Sequence, residues 1–542
     1  MTEDRLLTIT GLEIEGRQDG RWKPVVKGVD VHLDRGEVLG LIGESGAGKS
    51  TIGLAAMGYA RDGCRISGGT INYLGKELRE ADERALEDIR GYKIAYVAQS
   101  AAASFNPSHK LLTQFAETPL AHKMMTMEAA REKAVGLYSR LFLPDPEGIG
   151  YRYPHQVSGG QLQRAMVAMA MACDPDIIVF DEPTTALDVT TQIEVLSAIK
   201  EVVRNSNCAA IYITHDLAVV AQLSDRIMVL RYGEVVEEGN ARSMLDSPKE
   251  KYTADLLAVR RQVKAVRPAR KEEPLMRVEH ITAAYPNGPD ILHDVSFNVH
   301  RGRTVAVVGE SGSGKTSVAR VITGFLPQRD GMVYFDGIEM SPFLKHRDKS
   351  RLRKWQMIFQ MPDVAVNPRH KVKEIIGRPV SFYYGSTPKE VQRRVSELLD
   401  MIELDDGYLD RYPSELSGGE KQRICIARAL AANPELIICD EVTSALDQLV
   451  AEEILKLLQR LQDELNMSYL FITHDLATVK AIADDIVVMY QGRVVEHGPR
   501  QEVLAPPHHE YTELLLSSVP EMDPDWLDKL LEKRKSKKSV PV

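Results

Sequence analysis

Two nonapeptides, GESGAGKST at 43–51 and GESGSGKTS at 309–317, carry the residue types that hold a chain of phosphates. In the pattern G-x-x-x-x-G-K-[ST] the glycines let successive backbone N–H groups turn inward around phosphate oxygens. The loop then opens into a helix N-terminus, whose dipole favours anions. The spacing assigns nucleotide contacts to Gly43, Glu44, Ser45, Gly46, Ala47, Gly48, Lys49, Ser50 and Thr51 in the first copy, and to Gly309, Glu310, Ser311, Gly312, Ser313, Gly314, Lys315, Thr316 and Ser317 in the second. Lys49 and Lys315 would reach the β and γ phosphates, while Ser50 and Thr316 would bind Mg2+.

Downstream of each loop an apolar run ends in paired carboxylates, IIVFDE at 177–182 and LIICDE at 436–441. Asp181 and Asp440 are placed to hold a Mg2+ shell, and Glu182 and Glu441 to polarise an attacking water. Gln99 and Gln360 follow strand-like runs and could sense metal and water. His215 and His474 each end an apolar stretch within ITHD and suit a γ-phosphate contact. Ser158, Gly159, Gly160 and Gln161, like Ser417, Gly418, Gly419 and Glu420, precede a helix and make a second anion site at its N-terminus. Taken singly these are ordinary features: a strand end meeting solvent, a surface glutamine, a satisfied histidine, an N-cap. Their recurrence in one order, twice, favours the functional reading.

The elements that must position these residues form an internal repeat. Lys49 and Lys315 are offset by 266, YVAQSAAASFNP (96–107) and MIFQMPDVAVNP (357–368) by 261, and RYPHQVSGGQLQR (152–164) and RYPSELSGGEKQR (411–423) by 259. Order kept over that span means two copies of one domain. The expected boundaries are 1–259 for the first domain with its C-terminal extension, 260–274 for a charged, proline-containing linker, 275–520 for the second domain with its extension, and 521–542 for a charged tail. EVLGLIG, IIVFDE and AAIYITHD are apolar over four or five consecutive positions, as strands buried on both faces of a parallel sheet are. Chemistry then sits at the strand C-termini. MEAAREKAVGLYSRLFL and PKEVQRRVSELLDMIEL predict a helical insert.

With 542 residues, 44% hydrophobic and 27% charged, the chain is expected to be globular and too long for one ordinary core. No apolar run reaches the roughly 18 to 20 residues that span a bilayer, and the N-terminus lacks the apolar stretch of a signal peptide, so a cytoplasmic setting is expected. The net charge of −9 argues against a general nucleic-acid binder. The five cysteines have no CxxC spacing and read as core or inert thiols. The stretch DKLLEKRKSKKSV (528–540) reads as a solvated end, with anionic lipid as the sharper alternative.

The ordered set of phosphate loop, glutamine, SGG(Q/E), DE, ALD and histidine resembles the nucleotide-binding domain of ABC ATPases, in two copies over nearly the whole chain. The resemblance implies an α/β fold of two P-loop NTPase domains, each with a RecA-like parallel-sheet core, an antiparallel β subdomain and a helical subdomain. It also implies a head-to-tail sandwich: Lys49, Asp181, Glu182 and His215 would face Ser417, Gly418 and Gly419, and Lys315, Asp440, Glu441 and His474 would face Ser158, Gly159 and Gly160. Asp188 and Asp447 would line the seam. SFNP and VNP after the glutamines, RYP before each SGG loop, and SPKEKYTADLL and PPHHEYTELLLSSVP after each domain resemble the oligopeptide, dipeptide and nickel branch of ABC importers.

That branch implies ATP hydrolysis with Mg2+, uptake of peptides or related small solutes, two membrane-spanning permease subunits and an extracytoplasmic binding protein as partners. The expected location is the cytoplasmic face of a bacterial inner membrane. Many members carry a cysteine cluster after the YT segment; this chain has no cysteine after Cys439, so no iron–sulfur centre is expected. Tyr285 in AAYPNG would stack on adenine in the second domain. The matching stretch of the first, IEGRQDG, offers Gly16, with Trp22 as a substitute. Val442 stands where the family usually has proline. The competing reading is a twin-ABC translation factor, but such proteins usually carry a long charged helical linker, and only about 15 to 20 residues separate these copies. The lack of CxxC zinc spacings weakens a DNA-repair reading.

Overall fold

The computed structural model describes residues 4–18, 20–184, 187–258, 264, 265, 267, 272–444 and 446–538. The chain divides into two compact units, Met1–Ala258 with Pro520–Val542, and Val259–Val519. Most of the expected linker 260–274 lies outside the described residues, as do Ala186 and Ala445 of the two ALD segments.

In the first unit a six-stranded sheet puts the strand Val38–Gly43 between Ala209–Ile213 and Arg226–Arg231. Ile177–Asp181 and Ile94–Val97 follow outward on one side, and Glu234–Asn240 closes the other edge. All neighbours are parallel except that edge pair. The central strands are unbroken apolar runs because both faces are covered. Ile177 and Val179 enter one core, shared with the antiparallel sheet built on Arg5–Gln18, Arg21–Asp34 and Cys64–Tyr73. Ile178 and Phe180 enter another, shared with the helical insert Leu111–Ala121 and Met127–Arg140. At about 25 cal/mol per Å2 of apolar surface removed from water, a strand that buries every side chain is strongly fixed in register.

The second unit repeats the plan. Thr304–Val308 lies between Ser468–Ile472 and Asp485–Tyr490, with Leu436–Asp440 and Trp355–Ile358 beyond. Leu436 and Ile438 face the core shared with the antiparallel sheet, and Ile437 and Cys439 face the helical side. Cys173, Cys208, Cys425 and Cys439 are buried free thiols.

The final segment does not stand apart as the sequence reading has it. Trp526–Lys538 is a helix, and its Leu527 and Leu530 are buried in the helical-side core of the first unit. The tail carries apolar side chains that reading its basic stretch alone overlooks.

Candidate active site

Each phosphate loop leaves the C-terminal end of the central strand and turns through left-handed glycines. Gly43 has φ 146° and Gly309 152°, and Gly48 and Gly314, at φ 95° and 103°, cap the helices that begin at Lys49 and Lys315. At Gly43 a Cβ would come 2.1 Å from the Leu230 carbonyl oxygen, and at Gly309 2.2 Å from that of Met489. Neighbouring backbone therefore demands glycine there, as does the φ angle. The buried Lys49 Nζ donates to the carbonyls of Gly43 (2.8 Å) and Glu44 (2.9 Å), and Lys315 Nζ does the same at Gly309 (2.8 Å) and Glu310 (2.7 Å). The ammonium is thus tied back to the first two residues of its own loop.

Ser50 Oγ donates to Asp181 Oδ1 at 2.8 Å, and Thr316 Oγ1 to Asp440 Oδ1 at 3.1 Å. A hydroxyl and a carboxylate from separate elements so meet at one point in each half. Burial raises the Asp440 carboxyl above its ordinary value, against the lowering effect of the Thr316 hydrogen bond. An all-oxygen, sparsely populated donor set suits Mg2+, which keeps several waters and takes its other ligands from phosphate. Among the described residues no cluster of three or more His, Cys, Asp or Glu could hold a metal by protein side chains alone.

The next residue of each strand end departs from extended backbone. Glu182 and Glu441 sit at φ 48° and 49°, a conformation that costs a non-glycine residue free energy and persists where the surroundings over-determine it. Their N–H groups donate to Ile213 and Ile472 carbonyls at 2.9 Å. Each carboxylate is held from both sides. Gln99 Nε2 donates to Glu182 Oε2 at 3.0 Å while His215 Nδ1 lies 3.1 Å from Oε1. In the second half the Gln360 bond is 2.7 Å and the His474 separation 3.4 Å. Burial works against a charged imidazole at His215 and His474, but the facing glutamates outweigh it and raise both. Burial pushes the Glu441 carboxyl up, but His474 and Lys315 bring it below its ordinary value, so it stays an anion that can accept a proton.

The SGG loops are N-caps with one glycine to spare. Ser158 and Ser417 precede the helices Gly159–Ala170 and Gly418–Leu430, and their Oγ atoms accept from the N–H of Gln161 and Glu420 at 3.3 Å. Gln161 and Glu420 reach back to the N–H of Ser158 and Ser417, closing capping boxes. Their side chains are thereby turned to the helix end. Gly160 and Gly419 are packing glycines: a Cβ would fall 2.0 Å from Thr191 Cγ2 and 2.5 Å from Val450 Cγ1. Gly159 has nothing within 4 Å of such a Cβ, and Gly418 only Leu446 Cδ2 at 3.6 Å, so their own domains' packing does not require them. Asp188 and Asp447 cap the following long helices, accepting from Thr191 N–H (2.9 Å) and Val450 N–H (3.1 Å).

Tyr285 follows the strand Met276–Ala284 and is 39% exposed; its hydroxyl accepts from Arg320 at 2.7 Å and lies 3.5 Å from Ser317 Oγ. That puts the ring beside the phosphate-loop helix. Trp22 pairs with Arg17 across the first unit's antiparallel sheet, and the Arg65 guanidinium stacks 4.3 Å over its ring. One face of the indole is therefore taken.

Two groups of contacts escape a motif reading. Tyr96 donates to Asp181 Oδ2, whereas the matching position in the second half is Met357. Tyr511, in the YT segment after the second domain, accepts from the Glu310 N–H at 2.9 Å, and its ring lies tilted against that of Tyr490 with centroids 4.3 Å apart. Tyr252, its counterpart after the first domain, has its phenol pushed up by burial and by Glu44, with the Arg231 guanidinium 4.5 Å over the ring. In the sequence these tyrosines mark only a resemblance; the fold turns them toward the second residue of each phosphate loop.

Phosphate loop, hydroxyl–carboxylate pair and clamped glutamate at the C-terminal ends of a parallel sheet, present twice, define a tandem P-loop ATPase. The ABC transporter family model matches residues 26–185 and 292–444, and that of the oligopeptide/dipeptide transporter C-terminal region matches 495–541. The chain is 36% identical to the glutathione import ATP-binding protein GsiA of Salmonella choleraesuis, covering 96% of this chain and 90% of that protein. It is 35% identical to GsiA of Pectobacterium atrosepticum, covering 97% and 91%. Among solved structures, cbiO1 from Clostridium perfringens is 30% identical over 43% of this chain and 91% of its own, with a TM-score of 0.40. The chain belongs to the ABC transporter family, as an ATP-hydrolysing importer subunit that carries both ATPase domains on one polypeptide. No helix among the described residues is long and apolar enough to cross a membrane.

Proposed function

We infer that this chain energises uptake of peptides, glutathione-like tripeptides included, by hydrolysing ATP at two sites. The observation that carries the catalytic assignment is the glutamate held between glutamine and histidine beside a hydroxyl–carboxylate pair, found in both halves. Glu182 and Glu441 accept the proton of the attacking water. His215 and His474 contact a γ-phosphate oxygen and keep the carboxylate aimed. Lys49 and Lys315 exchange loop carbonyls for β and γ phosphate oxygens, and the loop N–H groups from Gly43 to Thr51 and from Gly309 to Ser317 cradle the rest. Ser50, Asp181 and Gln99, and Thr316, Asp440 and Gln360, would hold Mg2+, which would supply charge neutralisation to the phosphates.

Ser158 with Gly159 and Gly160, and Ser417 with Gly418 and Gly419, serve the nucleotide bound by the other half; the unfilled space at Gly159 supports that reading. Tyr285 stacks on adenine in the second domain. The C-terminal region's family match and the relatives named for glutathione import support a peptide cargo. The partners are two membrane-spanning permeases and an extracytoplasmic binding protein, which put this subunit at the cytoplasmic face of a bacterial inner membrane.

The double variant Glu182→Gln, Glu441→Gln should bind ATP normally while phosphate release falls by about 10²–10⁴-fold, the usual contribution of a positioned base. Turnover within a few-fold of the unaltered protein would overturn the base assignment.

A further inference from the structure

The chain leaves the first unit at Ala258, builds the second, and returns to the first at Pro520. The returning segment is bound by apolar, backbone and charged contacts at once. Leu527 and Leu530 are buried in the first unit's helical-side core, with Trp526 and Leu531 packed against it. Gln222, itself 3% exposed, gives its whole amide to the tail: Nε2 donates to the carbonyls of Glu521 (2.7 Å) and Asp523 (2.8 Å), and Oε1 accepts from the Leu527 N–H (2.9 Å). Lys200 meets Asp528 at 2.9 Å, Arg204 the same carboxylate at 3.5 Å, and Arg242 makes a forked pair with Asp525.

The repeat supplies an internal control. At the offset of 259, Lys200, Arg204, Gln222 and Arg242 correspond to Gln459, Asp463, Ala481 and Gln501. The second domain thus lacks each of the three cations and the glutamine that receive the tail. It has an aspartate where Arg204 faces Asp528, so the same acidic tail would meet repulsion there. The receiving surface is particular to the first domain.

We propose that residues 520–538 are a clasp: a second covalent route between the halves that keeps them paired when no nucleotide is bound, independently of the linker near 259–271. Two anchored connections confine the separated halves more tightly than one, which raises the effective concentration at which they meet again. The partner of the Lys200, Gln222 and Arg242 surface is therefore the chain's own C-terminus.

The test uses the full chain with a site-specific protease sequence inserted between residues 260 and 271. After cleavage, in EDTA and without nucleotide, the two fragments should co-elute on size exclusion and be recovered together through a tag on residue 1. Fragments that separate although the tail is intact overturn the proposal. In the same background, a stop after residue 519 should release the second fragment; retention would show that something other than the clasp holds it. Should the truncated chain misfold, Arg242→Asp should speed release at least several-fold, and Arg242→Asp with Asp525→Arg should restore retention. Failure of that reversal to restore it overturns the proposal. The readout is recovery of a fragment, so it is separate from any result on ATP turnover.

Discussion

At the scale of single residues, the two halves are alike at the proposed base, Glu182 or Glu441, and unlike one position away. Asp181 is hydrogen-bonded by both Ser50 and Tyr96, whereas Asp440 has Thr316 and a methionine at the matching position. Groups hydrogen-bonded to a metal's ligands set their orientation, and losing one typically costs 10- to 100-fold in affinity. Tyr96→Phe should therefore raise the Mn2+ or Mg2+ concentration that half-saturates the first site by about 10-fold, measured by Mn2+ titration in a Lys315→Ala background. An unchanged value would leave Tyr96 as strand packing alone. The sequence singles out Glu182, Glu441, the glutamines and the histidines because few residue types can bind phosphate, hold a divalent ion or take a proton, but that Gln and His grip the glutamate is visible only in the fold. Tyr96 was not: a tyrosine inside YVAQ reads as one more strand residue, and the carboxylate it serves lies 85 positions further along. The sequence places Gln161 and Glu420 at the second anion site, and in the fold their side chains accept from the Ser158 and Ser417 N–H groups as helix caps.

At the scale of elements, the SGG helix separates two reasons for being glycine. Gly160→Ala would drive a Cβ into the stiff, β-branched Thr191 on the next helix, with an overpacking cost of about 1–3 kcal/mol. Gly159→Ala meets nothing. Thermal unfolding should thus fall by several degrees for Gly160→Ala and stay within about a degree for Gly159→Ala, while ATPase activity falls in both. Normal activity in Gly159→Ala would remove the argument that this position faces a ligand. The central strands were readable because burial on both faces leaves an unbroken apolar run. The antiparallel sheets follow from the family resemblance and not from residue periodicity: Arg5–Gln18 pairs with two neighbours through repeated register shifts, and its alternation breaks at each bulge.

At the scale of the whole molecule, the repeat predicted two domains of one kind, and the length and the spacing of motifs were sufficient for that. The tail's attachment was hidden because DKLLEKRKSKK draws the eye to charge, while its apolar anchors Trp526, Leu527 and Leu530 need a partner surface to have meaning. The proposed importer role makes a further test at this scale. In fractionated cells the chain should sediment with membranes when its permeases are present and move to the supernatant when they are deleted. Co-sedimentation with ribosomes instead would overturn the transport reading in favour of a translation factor.

The position of the last helix also fixes an order of events at birth. The first domain emerges from the ribosome early, but the side chains of Leu527 and Leu530 that complete its helical-side core are made only after all of Val259–Val519. At ~5–20 residues per second that is an interval on the order of tens of seconds. Throughout it, the nascent first domain displays an open apolar patch beside Gln222, a window in which a chaperone, or a misplaced strand from another chain, has access that the finished protein denies.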